Sequence, residues 1–288
     1  MLPGAASQIS TYSSQLRGVT LDTSWTFAPA VLIALAGYAA VYGLRWRRSR
    51  AEGGARAAGV GRAVAWAAGL LCLFVALVSP LDSLGEQLAS AHMVQHLLVA
   101  DLAPILLTLG LTKWLLRPVT RVIHRIERAA GPLGHPAFGV VAYVGAMWFW
   151  HVPALYDAAL QYPLVHVAEH LSFAAAGLLY WWHLLSPIRS RLRLGGLGPV
   201  VYMASTKLLV GILGIILAFS PSLLYDAYAG SGTRLGLTPL DDLHVAGLIM
   251  ALEQSVVMGI ALAYLFARML GEADREDERV ERFSAPGS

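Results

Sequence analysis

Residues 91–112 read Ala-His-Met-Val-Gln-His-Leu-Leu-Val-Ala-Asp-Leu-Ala-Pro-Ile-Leu-Leu-Thr-Leu-Gly-Leu-Thr, with His92, His96 and Asp101 the titratable groups in an otherwise apolar run. A stretch of this length and character is one membrane crossing, because about 20 apolar residues at 1.5 Å each cover the roughly 30 Å hydrocarbon core. Six further segments of the same kind flank it, at 27–44, 62–79, 137–152, 163–185, 199–219 and 243–268. The composition of the 288-residue chain agrees, with 57% apolar and 14% charged residues, against roughly 45–50% and about 25% in soluble domains. Mean hydropathy is +0.59. A soluble domain is excluded, and a disulfide scaffold or thiolate metal site is excluded by a single cysteine, Cys72, deep in an apolar run. The fold expected is an all-α integral membrane protein of seven transmembrane helices.

The basic residues between the segments alternate sharply. Arg45, Arg47, Arg48, Arg50 and Arg56 follow the first span, Lys113, Arg117, Arg121, Arg125 and Arg128 the third, and Arg189, Arg191 and Arg193 the fifth. The loops after the second and fourth spans carry no Lys or Arg, and the loop after the sixth carries Arg234. By the positive-inside rule the N-terminus lies outside and the C-terminus in the cytoplasm. Three regions follow: an external segment over 1–26 without a cleavable signal, a seven-helix domain over 27–270, and a charged cytoplasmic tail over 271–288 that reads as disordered. The net charge of +3 is explained by these loops and needs no nucleic acid. The 113–128 run has helical spacing. It reads either as a topology-setting loop, with His124 and His135 on the surface, or as an amphipathic helix on anionic membrane lipid.

The external turns resemble one another. Pro80-Leu-Asp82, Pro153-Ala-Leu-Tyr-Asp157 and Pro221-Ser-Leu-Leu-Tyr-Asp226 are each followed by a helix that opens on histidine: His92…His96, His166…His170 and His244. Helices 2 to 7 thus read as three repeated hairpins. His151 closes the fourth span, so six of the nine histidines stand at outer helix ends. An i, i+4 pair shares one helical face, about 6 Å apart along the axis. Two such faces meeting in a bundle offer four imidazoles to one centre, and ionisable groups in a membrane turn inward.

Neutral imidazole ligates copper, zinc, iron and nickel. The ligands expected are the two pairs, His92 with His96 and His166 with His170, to a metal or a haem, with His151 a fifth histidine at the same depth. Further candidates, as ligands or as groups holding a ligating ring, are His244, Met93, Tyr156, Asp157 and Glu169, with Met147 and Met250 also nearby. For Asp157 the competing reading is a loop cap. Three charges lie deeper: Asp101 and Glu253 are each nine residues beyond a histidine, about 13 Å down the axis. Lys207 stands at similar depth on the sixth span, and an ion-pair network joining Lys207 to Asp101, Glu253 or both is expected.

Four places in order resemble the CtaG family of caa3-type cytochrome c oxidase assembly factors. They are Ser79-Pro-Leu-Asp82 leading into His92-Met-Val-Gln-His96; Trp150-His-Val-Pro-Ala-Leu-Tyr-Asp-Ala158; His166 to His170 running on to Trp181-Trp182; and Asp242 with Ala246-Gly-Leu-Ile-Met250. The resemblance covers roughly residues 70–260. It implies a bacterial plasma-membrane protein that matures a haem–copper oxidase at its copper step, with the five histidines as copper contacts. An oxidase subunit would be its partner, and a periplasmic or external protein its copper donor. The last segment departs from the family's Asp-Gln-Gln and Met-Trp: here Asp242 precedes Leu243 and His244, and Ala251 follows Met250. The resemblance therefore implies least for His244. Such a protein binds and delivers, and no nucleophile–base, phosphate-loop or dinucleotide pattern suggests an enzyme. The alternatives are a membrane redox protein holding b-type haem between helices 3 and 5, and a metal or proton transporter.

Overall fold

The computed structural model describes residues 20–188, 194–230 and 233–284, which form helices joined by short turns, with no strand among them. Five helices are long and apolar enough to cross a membrane: α1 (Pro29–Ala57), α2 (Val60–Val78), α4 (Ala89–Gly110), α9 (Gly198–Ala218) and the Pro239–Tyr264 part of α10 (Pro239–Ser284). Between the second and third lies the short α3 (Pro80–Gly85), and α5 (Thr120–Ala130) follows α4. A sixth crossing is made if α6 (Pro136–Trp150) and α7 (Pro153–Gln161), which meet at 75°, count as one. The remaining expected span is the 23-residue α8 (Pro163–Leu185), whose apolar character is diluted by His166, Glu169, His170 and His183.

α4 is the central helix. More than half of it, 56%, is buried, against 6% of α1, whose Ile33, Tyr38, Val41 and Leu44 stay exposed as lipid-facing residues do. Small residues let its neighbours close in. A Cβ on Gly69 of α2 would meet Leu107, and one on Gly110 would meet Trp66. On the other side Gly177 of α8 sits directly against the Ala100 carbonyl, where no side chain fits. That carbonyl belongs to a π-helical turn, Leu98–Leu102, which interrupts α4 one turn after His96. α9 and α10 use the same device: Gly214 and Ala218 face Gly247 and Ala251, a small-xxx-small pair on each helix, and a Cβ on Gly247 would strike the Ala218 backbone.

The two ends of the bundle differ. At one end the chain before α1 is tied to the end of α2 and to the turn after α3: Thr26 N–H donates to the Val78 carbonyl at 3.0 Å, and Gln87 accepts from Asp22 N–H at 3.0 Å and donates to its carbonyl at 2.9 Å. His92, His96, His151, His166, His170 and His244 stand at this end. At the other end the arginines cap carbonyls. Arg62 donates to Leu109 and Leu111 at 2.6 and 3.0 Å, Arg45 to Trp114 at 3.3 Å, and Arg117 lies over the Trp114 ring at 3.7 Å. Arg189, Arg191 and Arg193 lie outside the described residues.

Three sequence expectations change. The basic stretch after the first span is helical as far as Ala57, with a break at Gly54 (φ 60°), because its Arg, Ala and Glu residues are good helix formers. The tail expected to be disordered from Gly271 is helical to Ser284, for the same reason. The three prolines do not make three equal turns. Pro80 and Pro153 each open a short helix, whereas the chain after Pro221 is irregular up to a 3-10 turn at Asp226–Tyr228.

Candidate metal centre

The site is assembled from the ends of three helices. α4 begins at Ala89 because Asp242 of α10 caps it: one carboxylate oxygen accepts from Ala89 N–H at 2.6 Å, and the other accepts the Ser90 hydroxyl. This cap fixes the first turns of α4 and so aims His92 and His96, 0% and 1% exposed, into the bundle. Between them Gln95, also fully buried, donates to the Ala76 carbonyl at 2.8 Å and to Asp82 at 2.7 Å, tying the pair to α2 and α3. Pro163 opens α8, and its first two turns present His166, Glu169 and His170. His151 ends α6, where its Nδ1 donates to the Met147 carbonyl at 2.6 Å. That bond sets the tautomer, leaving Nε2 with a free lone pair.

These elements bring the five expected imidazoles together. Ring centroids are 4.2 Å apart within each pair, and across the pairs 5.7 Å for His92–His166, 6.3 Å for His92–His170 and 5.9 Å for His96–His170. His151 stands 5.8 Å from His96. Glu169 occupies the middle, 0% exposed, with Oε2 3.6 Å from His92 Nε2 and Oε1 3.3 Å from His96 Nε2. The Nε2 atoms of all five histidines and both oxygens of Glu169 are buried with no hydrogen-bond partner. A polar atom left so costs about 1–3 kcal/mol. With His92 Nδ1 and His96 Nδ1, which are also unpartnered, nine such atoms on six adjoining residues is a concentration that ordinary packing does not tolerate. His92, His96 and Glu169 form one set of donors within 4.8 Å of one another, and His166, Glu169 and His170 a second.

The surroundings close the cluster. Phe173 lies 4.4 Å below His96, centroid to centroid. Above, Tyr156 packs 5.0 Å from His92 and stacks on Tyr225 at 3.7 Å, with its hydroxyl 3.4 Å from that of Tyr228. Tyr228 donates to the Gly85 carbonyl at 2.8 Å, and Tyr225 to the His151 carbonyl at 3.3 Å. Burial raises the hydroxyl pKa of both loop tyrosines, so they stay neutral. Tyr225 and Tyr228 were not singled out in the sequence; their i, i+3 spacing after Pro221 was the available signal.

Several sequence candidates lie elsewhere. Asp157 accepts from the backbone N–H groups of Asp226 and Ala227, at 3.3 and 3.0 Å, so it is a loop cap and holds no imidazole. His244 Nε2 bonds the Ser220 carbonyl at 2.9 Å, joining α10 to the end of α9. Met93 is buried in the apolar core, as are Met147 and Met250. Of the expected pairing of Lys207 with Asp101, Glu253 or both, the Asp101 half is not formed. Asp101 is held by the Tyr143 hydroxyl and by Trp181 Nε1 at 2.9 Å, two neutral donors. Lys207, half-buried at the bundle edge, donates instead to Ser255 of α10 at 3.0 Å. The π-turn that contains Asp101 helps explain this, because it alters the register from which the position of the carboxylate was judged.

The fold and the cluster define a multi-pass helical membrane protein with a buried histidine–carboxylate centre. A family profile, the cytochrome c oxidase caa3 assembly factor (Caa3_CtaG), matches residues 40–272, and the chain belongs to that family. Among curated proteins it is 24% identical to an uncharacterized protein of Mycobacterium leprae over 242 residues, covering 77% of this chain and 35% of that one. It is 26% identical to an uncharacterized protein of Mycobacterium bovis over 260 residues, covering 76% and 37%. The chain thus spans about a third of the length of these relatives. No solved structure matches it.

Proposed function

We propose that this protein is a bacterial plasma-membrane assembly factor that binds copper at the histidine cluster and passes it to a subunit of a haem–copper oxidase. The observation that carries the reading is the set of unpartnered buried atoms, the Nε2 atoms and the carboxylate oxygens among them, on His92, His96, His151, His166, His170 and Glu169. Imidazole and carboxylate together suit a borderline divalent ion, and imidazole also accepts Cu(I). Copper in particular comes from the family. Here copper is cargo, received from an external donor, and the protein acts by binding rather than by catalysis. The haem alternative fits less well, because Glu169 lies between the two histidine pairs where a porphyrin would have to sit. The purified protein should contain copper by elemental analysis and show no Soret band. A Soret band with copper at background would replace this reading by the haem one.

We further read the chain as seven spans, α6 and α8 included, with the histidine end outside and the hairpins of helices 2 to 7 as divergent repeats. A reporter fused after Arg193 should be cytoplasmic, and one inserted near Gly232 should be external. The reverse labelling would put the histidine end in the cytoplasm and remove an external copper donor from the scheme.

A further inference from the structure

The donors are too many for one ion. A four-coordinate centre takes four ligands, whereas six residues here, five histidines and Glu169, carry unpartnered buried donor atoms. Nor do they form one set. The atoms that approach within 4.8 Å of one another fall into two triads, His92/His96/Glu169 and His166/Glu169/His170, which share only the carboxylate. The ring separations follow the same division, 4.2 Å inside each pair and 5.7–6.3 Å for His92 with the rings of the opposite pair.

We propose that the cluster is a two-ion centre, with one ion held by His92, His96 and His151, a second by His166 and His170, and Glu169 bridging them. Carboxylates commonly join metal pairs about 3.5–4 Å apart. The two positions are unequal. The first has His92, His96 and a carboxylate oxygen, all from buried residues. His151, whose Nδ1 is already committed to the Met147 carbonyl, stands with its ring 5.8 Å from that of His96 and would complete a tetrahedral set by turning its free Nε2 to the same ion. The second has two imidazoles and the carboxylate, and its His166 is only half-buried, at the end of the bundle where α7 turns into α8. A position left open on the exposed side is what exchange with a partner protein requires, while the closed position retains its ion.

The proposal rests on the copper reading above, and the test separates the two. Purified full-length protein in detergent is titrated with Cu(I) under ascorbate against a chromophoric chelator, and bound copper is counted against protein. Two equivalents are expected, one surrendered to excess chelator at least tenfold faster than the other. His92→Asn with His96→Asn, and separately His166→Asn with His170→Asn, should each keep one equivalent, the second variant losing the fast one. Glu169→Gln should weaken both equivalents together. One equivalent in the wild-type protein overturns the two-ion arrangement and leaves copper binding standing; none removes both. Two equivalents surviving in either pair variant would mean that the second ion is bound elsewhere, which also overturns the proposal. The wild-type count needs no variant to fold.

Discussion

Replacing His96 or His170 by alanine should leave the protein inserted and folded while the oxidase it serves loses its copper. The two halves of this expectation have different physical origins. Neither Nε2 atom makes a well-formed hydrogen bond, so each truncation removes a desolvated polar group, and the Glu169 carboxylate that faces His96 at 3.3 Å keeps His92 beside it at 3.6 Å. Alanine is also the best helix former, so α4 and α8 keep their local preference. The metal-free variants should therefore unfold within a few degrees of the wild-type protein. The loss appears when copper is added. A ligand that binds the native state alone stabilises it by about 2.7 kcal/mol at a hundredfold excess over its dissociation constant. The wild-type protein should gain on this scale and the His96→Ala/His170→Ala protein should gain nothing. In cells the same double variant should reduce oxidase copper to the level of a strain lacking the protein. Normal oxidase copper with a stably inserted double variant would remove the delivery role.

The legibility of this site in the sequence was uneven, and the unevenness has physical causes. Hydropathy over twenty residues integrates many weak signals, so the apolar helices were readable, and helical periodicity put each H-x-x-x-H pair on one face without any knowledge of neighbours. The convergence of His92, His96, His151, His166 and His170 followed from their common depth. What needs tertiary register was read less well. Glu169 ranked as a supporting group, although its i+3 spacing from His166 already put it on the histidine face; its place between two helices depends on how closely α8 approaches α4, which Gly177 decides. The Asp242 cap on α4 joins residues 153 positions apart and has no local signature. The tail from Gly271 misled in the opposite direction, because high charge was taken as disorder where the residues are strong helix formers. Asp101 was misread for a related reason. Depth along a helix says which charges share a layer, but not which neutral donors share it with them.

Replacing Asp101 by alanine should cost the folded protein about 2–6 kcal/mol, because it removes the acceptor of two buried hydrogen bonds at once and each such loss is worth about 1–3 kcal/mol. The Trp181 indole N–H and the Tyr143 hydroxyl lie on residues 0% and 1% exposed, out of reach of bulk solvent. Lys207→Ala should cost less than about 1 kcal/mol, since its ammonium meets a single hydroxyl near the bundle surface. Asp101→Asn should fall between the two, keeping one acceptor for Trp181 and a rotatable amide for Tyr143. Unfolding in mixed detergent micelles would rank the three, and Lys207→Ala costing more than Asp101→Ala would restore the ion pair that the sequence suggested. The position of Asp101 also carries its effect to the metal centre. Its carboxylate joins α4 to α6 through Tyr143 and to α8 through Trp181, the same three helices that supply His92 and His96, His151, and His166 and His170. Asp101 lies five residues beyond His96, about 7.5 Å at 1.5 Å per residue, so it bonds no ligand itself. Loosening this clamp lets the three helix ends drift, and a donor set that must converge on an ion loses affinity with small displacements. Asp101→Ala should therefore weaken copper binding at least tenfold in the fraction that remains folded. An unchanged affinity alongside a large loss of stability would show that the clamp holds the bundle together without positioning its histidines.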